Sequence, residues 1–272
     1  MKQAFSEYGI WCLGDGRPSR RTDRLVEEDQ VQIVAKGNHS EVLMATPGME
    51  RELAAGFCVT MGWADPALPA CKVKWHSDTK EVSLDIAPPM QKAAAVKATS
   101  GGTLSSCRAE KAQKGHFMEA RIFMSLTDAM SQNQVLFRQT GATHAAGLFD
   151  IRGELLVLAE DAGRHNALDK AVGSLWLENR LNAAKAAAFS GRMSLEMVLK
   201  SARAGLVFIV GVSAPTAAAV RAAHDLGLTL AGFARKGRMN LYTHAENLLS
   251  QNRPFIELNQ HISANMGEAE RG

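Results

Sequence analysis

Ala186-Ala187-Ala188-Phe189-Ser190-Gly191-Arg192-Met193-Ser194 and, one helix-length later, Leu206-Val207-Phe208-Ile209-Val210-Gly211-Val212-Ser213-Ala214-Pro215-Thr216 decide the reading of this chain. Each opens as a short unbroken apolar run and closes in small, polar or cationic residues. Such a run is expected where both faces of a strand are covered. Outward from this pair the alternation continues. Leu155–Leu158, Ala186–Phe189, Leu206–Val212 and Leu228–Ala234 read as strands. Between them Ala167–Leu177, Ser194–Ala204 and Ala217–Leu226 read as helices. Strands that alternate with helices predict an α/β sandwich around a mostly parallel sheet.

The first hundred residues read differently. Gln30–Ala35 and Glu41–Ala45 are strand-like around a turn at residues 36–40. Arg51–Met61 places Leu53, Phe57 and Met61 at helical spacing, and Lys72–Trp75 with Glu81–Ile86 suggests a second hairpin. The expected organisation is a polar lead-in over 1–28 and a smaller, mainly antiparallel β subdomain with one helix over 29–90. A flexible, cysteine-bearing loop follows over 91–116, rich in Ala, Lys, Gly and Ser. An α/β domain over 117–250 and a tail over 251–272 complete it.

Composition bounds the function classes. Of 272 residues, 46% are hydrophobic and 22% charged, which excludes wholesale disorder. A net charge of +3 is too small to argue for a nucleic-acid partner. No apolar run approaches the ~18 residues of a membrane span, and the first residues lack the apolar core of a signal peptide. A cytoplasmic protein is the expectation. Cys12, Cys58, Cys71 and Cys107 form no CxxC, so neither a disulfide scaffold nor a structural metal site is expected.

Where strands run the same way, their C-terminal ends share an edge, and ligands bind there. The segments following the four strands are Glu160–Asn166, Ser190–Ser194, Ser213–Thr216 and Arg235–Arg238. Arg164, Arg192, Arg235, Lys236 and Arg238 supply cations, Gly163, Gly191 and Gly237 allow close backbone approach, and helix N-termini add free N–H groups. A phosphate-bearing ligand such as a nucleotide is the economical expectation, although no P-loop or GxGxxG is present. The competing reading has the Ser and Thr residues merely capping helices and the glycines merely turning the chain. His144 and His165 are candidate acid/base groups or donors to a phosphate. With either as a base, a hydrolase or transferase acting on some other nucleotide stays open. A zinc deaminase would need a His–Glu pair and a Pro-Cys-x-x-Cys stretch, and neither occurs.

Glu160-Asp161-Ala162-Gly163-Arg164-His165-Asn166-Ala167-Leu168-Asp169-Lys170 resembles the signature of the formate dehydrogenase accessory sulfurtransferase family (FdhD/NarQ-like). So do Thr140–Ala146, Ser190–Met197, Ser213–Thr216 and Gly232–Arg238, in order and spacing. The resemblance implies a cytoplasmic homodimer with a cytidine-deaminase-like α/β/α fold. It implies transfer of persulfide sulfur from a cysteine desulfurase to the bis(molybdopterin guanine dinucleotide) molybdenum cofactor, for formate dehydrogenase. That cofactor would be bound as substrate, and a guanine nucleotide could take its place. The family's cofactor-binding stretch falls on Phe233, Ala234, Arg235, Lys236, Gly237 and Arg238, with His144, Arg164, His165, Arg192 and Ser213 as further candidates along the edge.

The carrier cysteine is where this chain departs. The family pattern has CxxC in the loop; here Ser105-Ser106-Cys107-Arg108-Ala109-Glu110 keeps the first cysteine and puts Glu110 at the second. A second register, set on Gly101-Gly102, leaves no cysteine at the expected position. A single thiolate flanked by Arg108 and Lys111 suffices to carry a persulfide. A second cysteine would release the sulfur by forming a disulfide, so an external thiol would have to act. A cofactor-holding chaperone that does no covalent chemistry is the alternative.

Overall fold

The structure, a computed structural model, describes residues 3–14, 16–35, 39–69, 72–86, 95–97, 103–105, 115–250 and 253–254. It opens on a hairpin, β1 (Phe5–Cys12) paired antiparallel with β2 (Ser19–Val26), where a polar lead-in was expected. Both strands are largely exposed on both faces, so their sequence carries no apolar alternation to betray them. Arg20 lies over the Trp11 ring at 4.8 Å and Arg24 over Phe5 at 5.2 Å. Next come β3 (Asp29–Ala35), β4 (His39–Ala45), α1 (Glu50–Thr60), β5 (Val73–His76) and β6 (Glu81–Leu84). They form a four-stranded sheet in the order β4-β3-β6-β5, antiparallel except for the central β3/β6 pair. Within the stretch read as a loop, β7 (Ala95–Lys97) pairs with β8 (Thr103–Ser105). Cys107 lies outside the described residues, as do residues 36–38 of the expected turn.

The second half runs β9 (Met118–Glu119), α2 (Ala120–Asn133), α3 (Val135–Thr140), β10 (His144–Phe149), β11 (Leu155–Asp161) and α4 (Arg164–Leu177). It continues through β12 (Ala186–Phe189), α5 (Leu195–Arg203), β13 (Phe208–Gly211), α6 (Ala217–Leu226), β14 (Thr229–Arg235) and β15 (Arg238–Thr243). A short β16 (Leu248–Ser250) joins β9 and β17 (Arg253–Pro254) in a small separate sheet.

The main sheet has the order β11-β10-β12-β13-β14-β15. The expectation of a mostly parallel sheet is corrected here: only β12/β13 and β13/β14 pair in parallel. β10 inserts between β11 and β12, antiparallel to both, and β15 folds back on β14. The signal for β10 was weak because Ala145, Ala146 and Gly147 offer little of the β-branched or aromatic bulk that marks a strand. The insertion has one decisive consequence. A strand antiparallel to both neighbours leaves those neighbours running the same way, so β11, β12, β13 and β14 still end at one edge.

Helices cover both faces of the sheet. On one, Phe123, Leu126 and Met130 of α2 pack with Ala145, Phe149, Ala188, Phe208 and Val210. On the other, Ala146, Leu148, Ala187, Phe189 and Ile209 pack beneath α4, α5 and α6 in a core that continues to Val31, Ile33, Val82 and Leu84 of the small sheet. Consecutive residues of one strand thus serve opposite cores, as the two-residue pleat requires. The run Ala186–Ala188 is a strand despite alanine's helix propensity, because small side chains let both helical layers close on the sheet. α1 crosses α4 at two glycines. A Cβ on Gly56 would stand 1.8 Å from the Asp169 carbonyl oxygen, and one on Gly173 would stand 1.8 Å from that of Glu52. The two backbones touch, which ties the small sheet to the large one. Among the described residues no helix is long and apolar enough to cross a membrane.

Candidate functional site

The shared edge is laced together by its loops. Ser190, just past β12, accepts from the Ala145 N–H through its hydroxyl (2.9 Å) and donates its own N–H to the Ala145 carbonyl (3.1 Å). The Met193 N–H donates to Ala214 (3.2 Å), the Thr216 N–H donates to Met193 (2.9 Å), and the Phe233 N–H donates to the Ser213 carbonyl (3.3 Å). The ends of β12, β13 and β14 therefore stand side by side. Ser194 and Thr216 cap α5 and α6, accepting from Met197 (3.4 Å) and Ala219 (3.2 Å). For these two residues the capping reading of the sequence is the observed one.

At the β10/β12 end lie His144, Gly191 and Arg164. His144 opens β10, with Nδ1 3.4 Å from the Ser190 hydroxyl. A Cβ on Gly191 would come within 3.1 Å of His144 Nδ1 and 3.6 Å of Arg164 Cδ, so the missing side chain lets both residues close on the Gly191 backbone. Arg164 begins α4, whose N-cap Gly163 offers no side-chain acceptor. Arg164 Nε and His165 Nε2 are buried without a hydrogen-bond partner. Arg192 is exposed beside them. Burial first, then the charge of Arg164, holds the His144 ring below the usual histidine range, while Asp161 pulls the other way.

His165 does not open to the edge. Its side chain is 10% exposed, and Nε2 lies 3.4 Å from a carboxylate oxygen of the buried Glu196. That separation is within ion-pair reach but without hydrogen-bond geometry, consistent with the orphaned atom. Burial lowers His165 to about 4; Glu196 opposes this, and Lys200, Arg164 and His144 add to it. Beneath it Lys200, with no exposure, donates to Asp169 at 2.6 Å, and Thr60 donates to the same carboxylate at 2.7 Å. Burial pushes the Asp169 carboxyl up, opposed by Lys200 and Thr60.

The β14/β15 end carries the other expected residues. Lys236 (φ 51°) and Gly237 (φ 71°) make a two-residue turn of the left-handed kind that hairpins favour. It sets Arg235 directly opposite Arg238. Two exposed guanidinium groups facing across a strand pair repel unless an anion lies between them. Phe233 is exposed and left-handed (φ 54°), a costly conformation for a bulky residue. Ala234 is 1% exposed and belongs to the core under α2, so its side chain is withheld from any ligand at the edge. Ser213 is half-buried.

The sequence reading gave no role to the polar residues that support this edge, Ser190 beside it and Thr46, Asp161, Asn166, Asp169, Lys170, Glu196 and Lys200 behind it, although all but Thr46 and Lys200 stand in the stretches that carry the family resemblance. A signal existed for two of them. Glu196 and Lys200 are four apart, hence on one helix face, and that face also carries Met197 into the core. A separate cavity of about 420 Å³ lies beside β11, lined in part by Thr46, Met49, Val135, Leu158, Glu160 and Lys170. It carries no chemistry, because Glu160 already accepts from Leu136, Phe137 and Thr143, and Lys170 already donates to Thr46.

Comparison with known proteins bears on this geometry. A sequence model of the FdhD/NarQ family matches residues 26–249. The chain is 34% identical over 261 residues to the sulfur carrier protein FdhD of Saccharolobus solfataricus, covering 91% of this chain and 100% of that one. It is 32% identical over 244 residues to the protein of that name from Sulfolobus acidocaldarius (86% and 94% covered). With the one from Sulfurisphaera tokodaii it shares 37% over 218 residues (76% and 84%). In fold it matches a crystal structure of a candidate formate dehydrogenase accessory protein from Desulfotalea psychrophila. The TM-score is 0.75 at 23% identity, over 91% of this chain and all of that one.

Proposed function

The chain belongs to the FdhD/NarQ family, and from that premise we propose that it is a sulfur carrier serving the maturation of formate dehydrogenase. It takes persulfide sulfur from a cysteine desulfurase and passes it to the bis(molybdopterin guanine dinucleotide) molybdenum cofactor, bound as substrate in the cytoplasm by a homodimer. The observation that carries this reading is the common edge of β11, β12, β13 and β14, cationic at both ends, in a chain whose relatives are named sulfur carriers.

Each end of the edge has a part. Arg164 presents a buried donor that lacks an acceptor, beside His144 and the bare Gly191 backbone. A diphosphate oxygen there would satisfy the guanidinium, and a buried donor gains most from such a partner. Arg235 and Arg238 would bind a second anionic group from the hairpin turn.

Cys107 is the carrier in this reading. It is the cysteine that lines up with the first of the family's loop pair; Cys58 is buried in the α1 core, Cys12 lies before the residues the family model matches, and Cys71 lies outside the 91–116 loop. The Cys107 thiolate attacks the outer sulfur of the donor persulfide. One S–S bond forms as another breaks, the donor cysteine leaves as a thiolate, and nothing is oxidised overall. Release of that sulfur as sulfide needs two electrons: an external thiol attacks the Cys107 sulfur, sulfide leaves as a mixed disulfide forms, and a second external thiol frees Cys107, because Glu110 stands at the second cysteine position. That same Glu110 favours the second reading, a chaperone that only holds the cofactor. Cells lacking their own carrier separate the two. The parent chain restores formate dehydrogenase activity, and Cys107→Ala restores none if the residue carries sulfur. Full restoration by Cys107→Ala leaves the chaperone.

A further inference from the structure

Thr46, in the turn between β4 and α1, gives each of its polar groups to residues 161–170. Its N–H donates to Asp161 Oδ2 (2.9 Å), its hydroxyl accepts from the Ala162 N–H (3.0 Å), and its carbonyl accepts from Lys170 Nζ (2.7 Å). Asp161 is wholly buried and collects the rest: Lys170 Nζ at 2.7 Å, the Gly163 N–H at 2.8 Å and Asn166 Nδ2 at 3.1 Å. Asn166 also reaches back to the Met44 carbonyl at 2.8 Å. The turn itself is strained. Gly48 (φ 98°) and Met49 (φ 62°) are successive left-handed residues, and a methionine persists there only where its surroundings fix it.

We propose that Thr46 is a positioning residue, fastening the loop 161–166 so that Arg164 and His165 stand where the first turn of α4 presents them. Asp161, Asn166 and Lys170 of the signature stretch are then the receiving half of this fastening rather than ligand contacts. That Arg164 faces a phosphate rests on the function proposed above; that Thr46 holds the loop does not. The hydroxyl is the separable element. Valine keeps the shape of threonine and leaves the Ala162 N–H without its acceptor, whereas serine keeps the hydroxyl.

Two variants, Thr46→Val and Thr46→Ser, test this against the parent by amide hydrogen exchange, NMR titration of His165 and calorimetry with guanosine diphosphate. In Thr46→Val the Ala162 amide exchanges at least about tenfold faster while that of Phe189 in β12 is unchanged, as a local opening requires. The His165 ring, at about 4 in the parent, moves toward the ordinary 6.5 as its shelter loosens. Affinity for the nucleotide falls by about tenfold or more, the scale of a misplaced binding group, and Thr46→Ser matches the parent in all three. If the parent itself binds no nucleotide, the functional reading falls while exchange and titration still decide the fastening. Unchanged exchange and titration in Thr46→Val, or a serine variant as damaged as the valine one, overturns it. Should Thr46→Val fail to fold, Thr46→Cys, with its weaker acceptor, takes the same readings.

Discussion

His165 keeps a neutral ring because burial removes it from water; Glu196 opposes this, while Lys200, Arg164 and His144 add to it. Its folded value of about 4 lies below the ordinary 6.5. An unfolded chain takes up the proton as pH falls through about 6.5, and the folded one does not until about 4. The stability this ring contributes is therefore complete above pH 6.5 and drains as pH drops toward 4, by roughly 3 kcal/mol in all. Urea unfolding at pH 7 and pH 4.5 measures it: the parent loses more than His165→Gln over that interval, and equal losses contradict the assignment. At the other end of the edge, Arg235 and Arg238 stand opposite each other across the turn, where like charges repel. Arg235→Ala and Arg238→Ala each weaken guanine nucleotide binding by about 1.5–3 kcal/mol, the worth of a charge-assisted hydrogen bond. Calorimetry that finds both variants at parental affinity removes the turn from the site.

Elements meet most closely where α1 crosses α4. A methyl group placed on Gly56 or Gly173 would stand 1.8 Å from a facing carbonyl oxygen, and that obstacle is backbone rather than a flexible side chain that could yield. Gly56→Ala or Gly173→Ala must push the helices apart and loosen the core they share, at a cost of about 3 kcal/mol or more. Thermal melting of both variants checks this, and a melting temperature within a degree or two of the parent for either refutes the contact. The same elements show what a sequence can disclose. β12, β13, β14 and the helices between them were legible because apolar runs bounded by Ser-Gly and Ser-Ala-Pro-Thr leave few alternatives. β10 was not, since Ala145, Ala146 and Gly147 carry no strand signature and its pairing is set by tertiary contact. The β1/β2 hairpin was hidden by exposure on both faces. At the edge, the cationic residues were legible by type. Burial of His165 and Ala234 was not, because a strand bulge and a helix's first turn decide which way those side chains face. Thr46 lies 115 residues before Asp161, and no local pattern links them.

Among the described residues the α1/α4 crossing joins the four-stranded sheet to the main one, and a cationic edge lies at the ends of β11, β12, β13 and β14. A carrier built this way needs one accessible thiol and one anion-binding rim. Cys58, sealed in the joint core, serves packing instead, and Cys58→Ser should leave sulfur uptake at the parental level. On the proposed function that thiol is Cys107. Incubation with a cysteine desulfurase and cysteine, followed by mass spectrometry of the peptide that contains Cys107, decides whether it holds the sulfur. This peptide should gain one sulfur atom, and Cys107→Ser should abolish the gain throughout the chain. Sulfur found on another cysteine, or uptake undiminished in Cys107→Ser, removes Cys107 as the carrier.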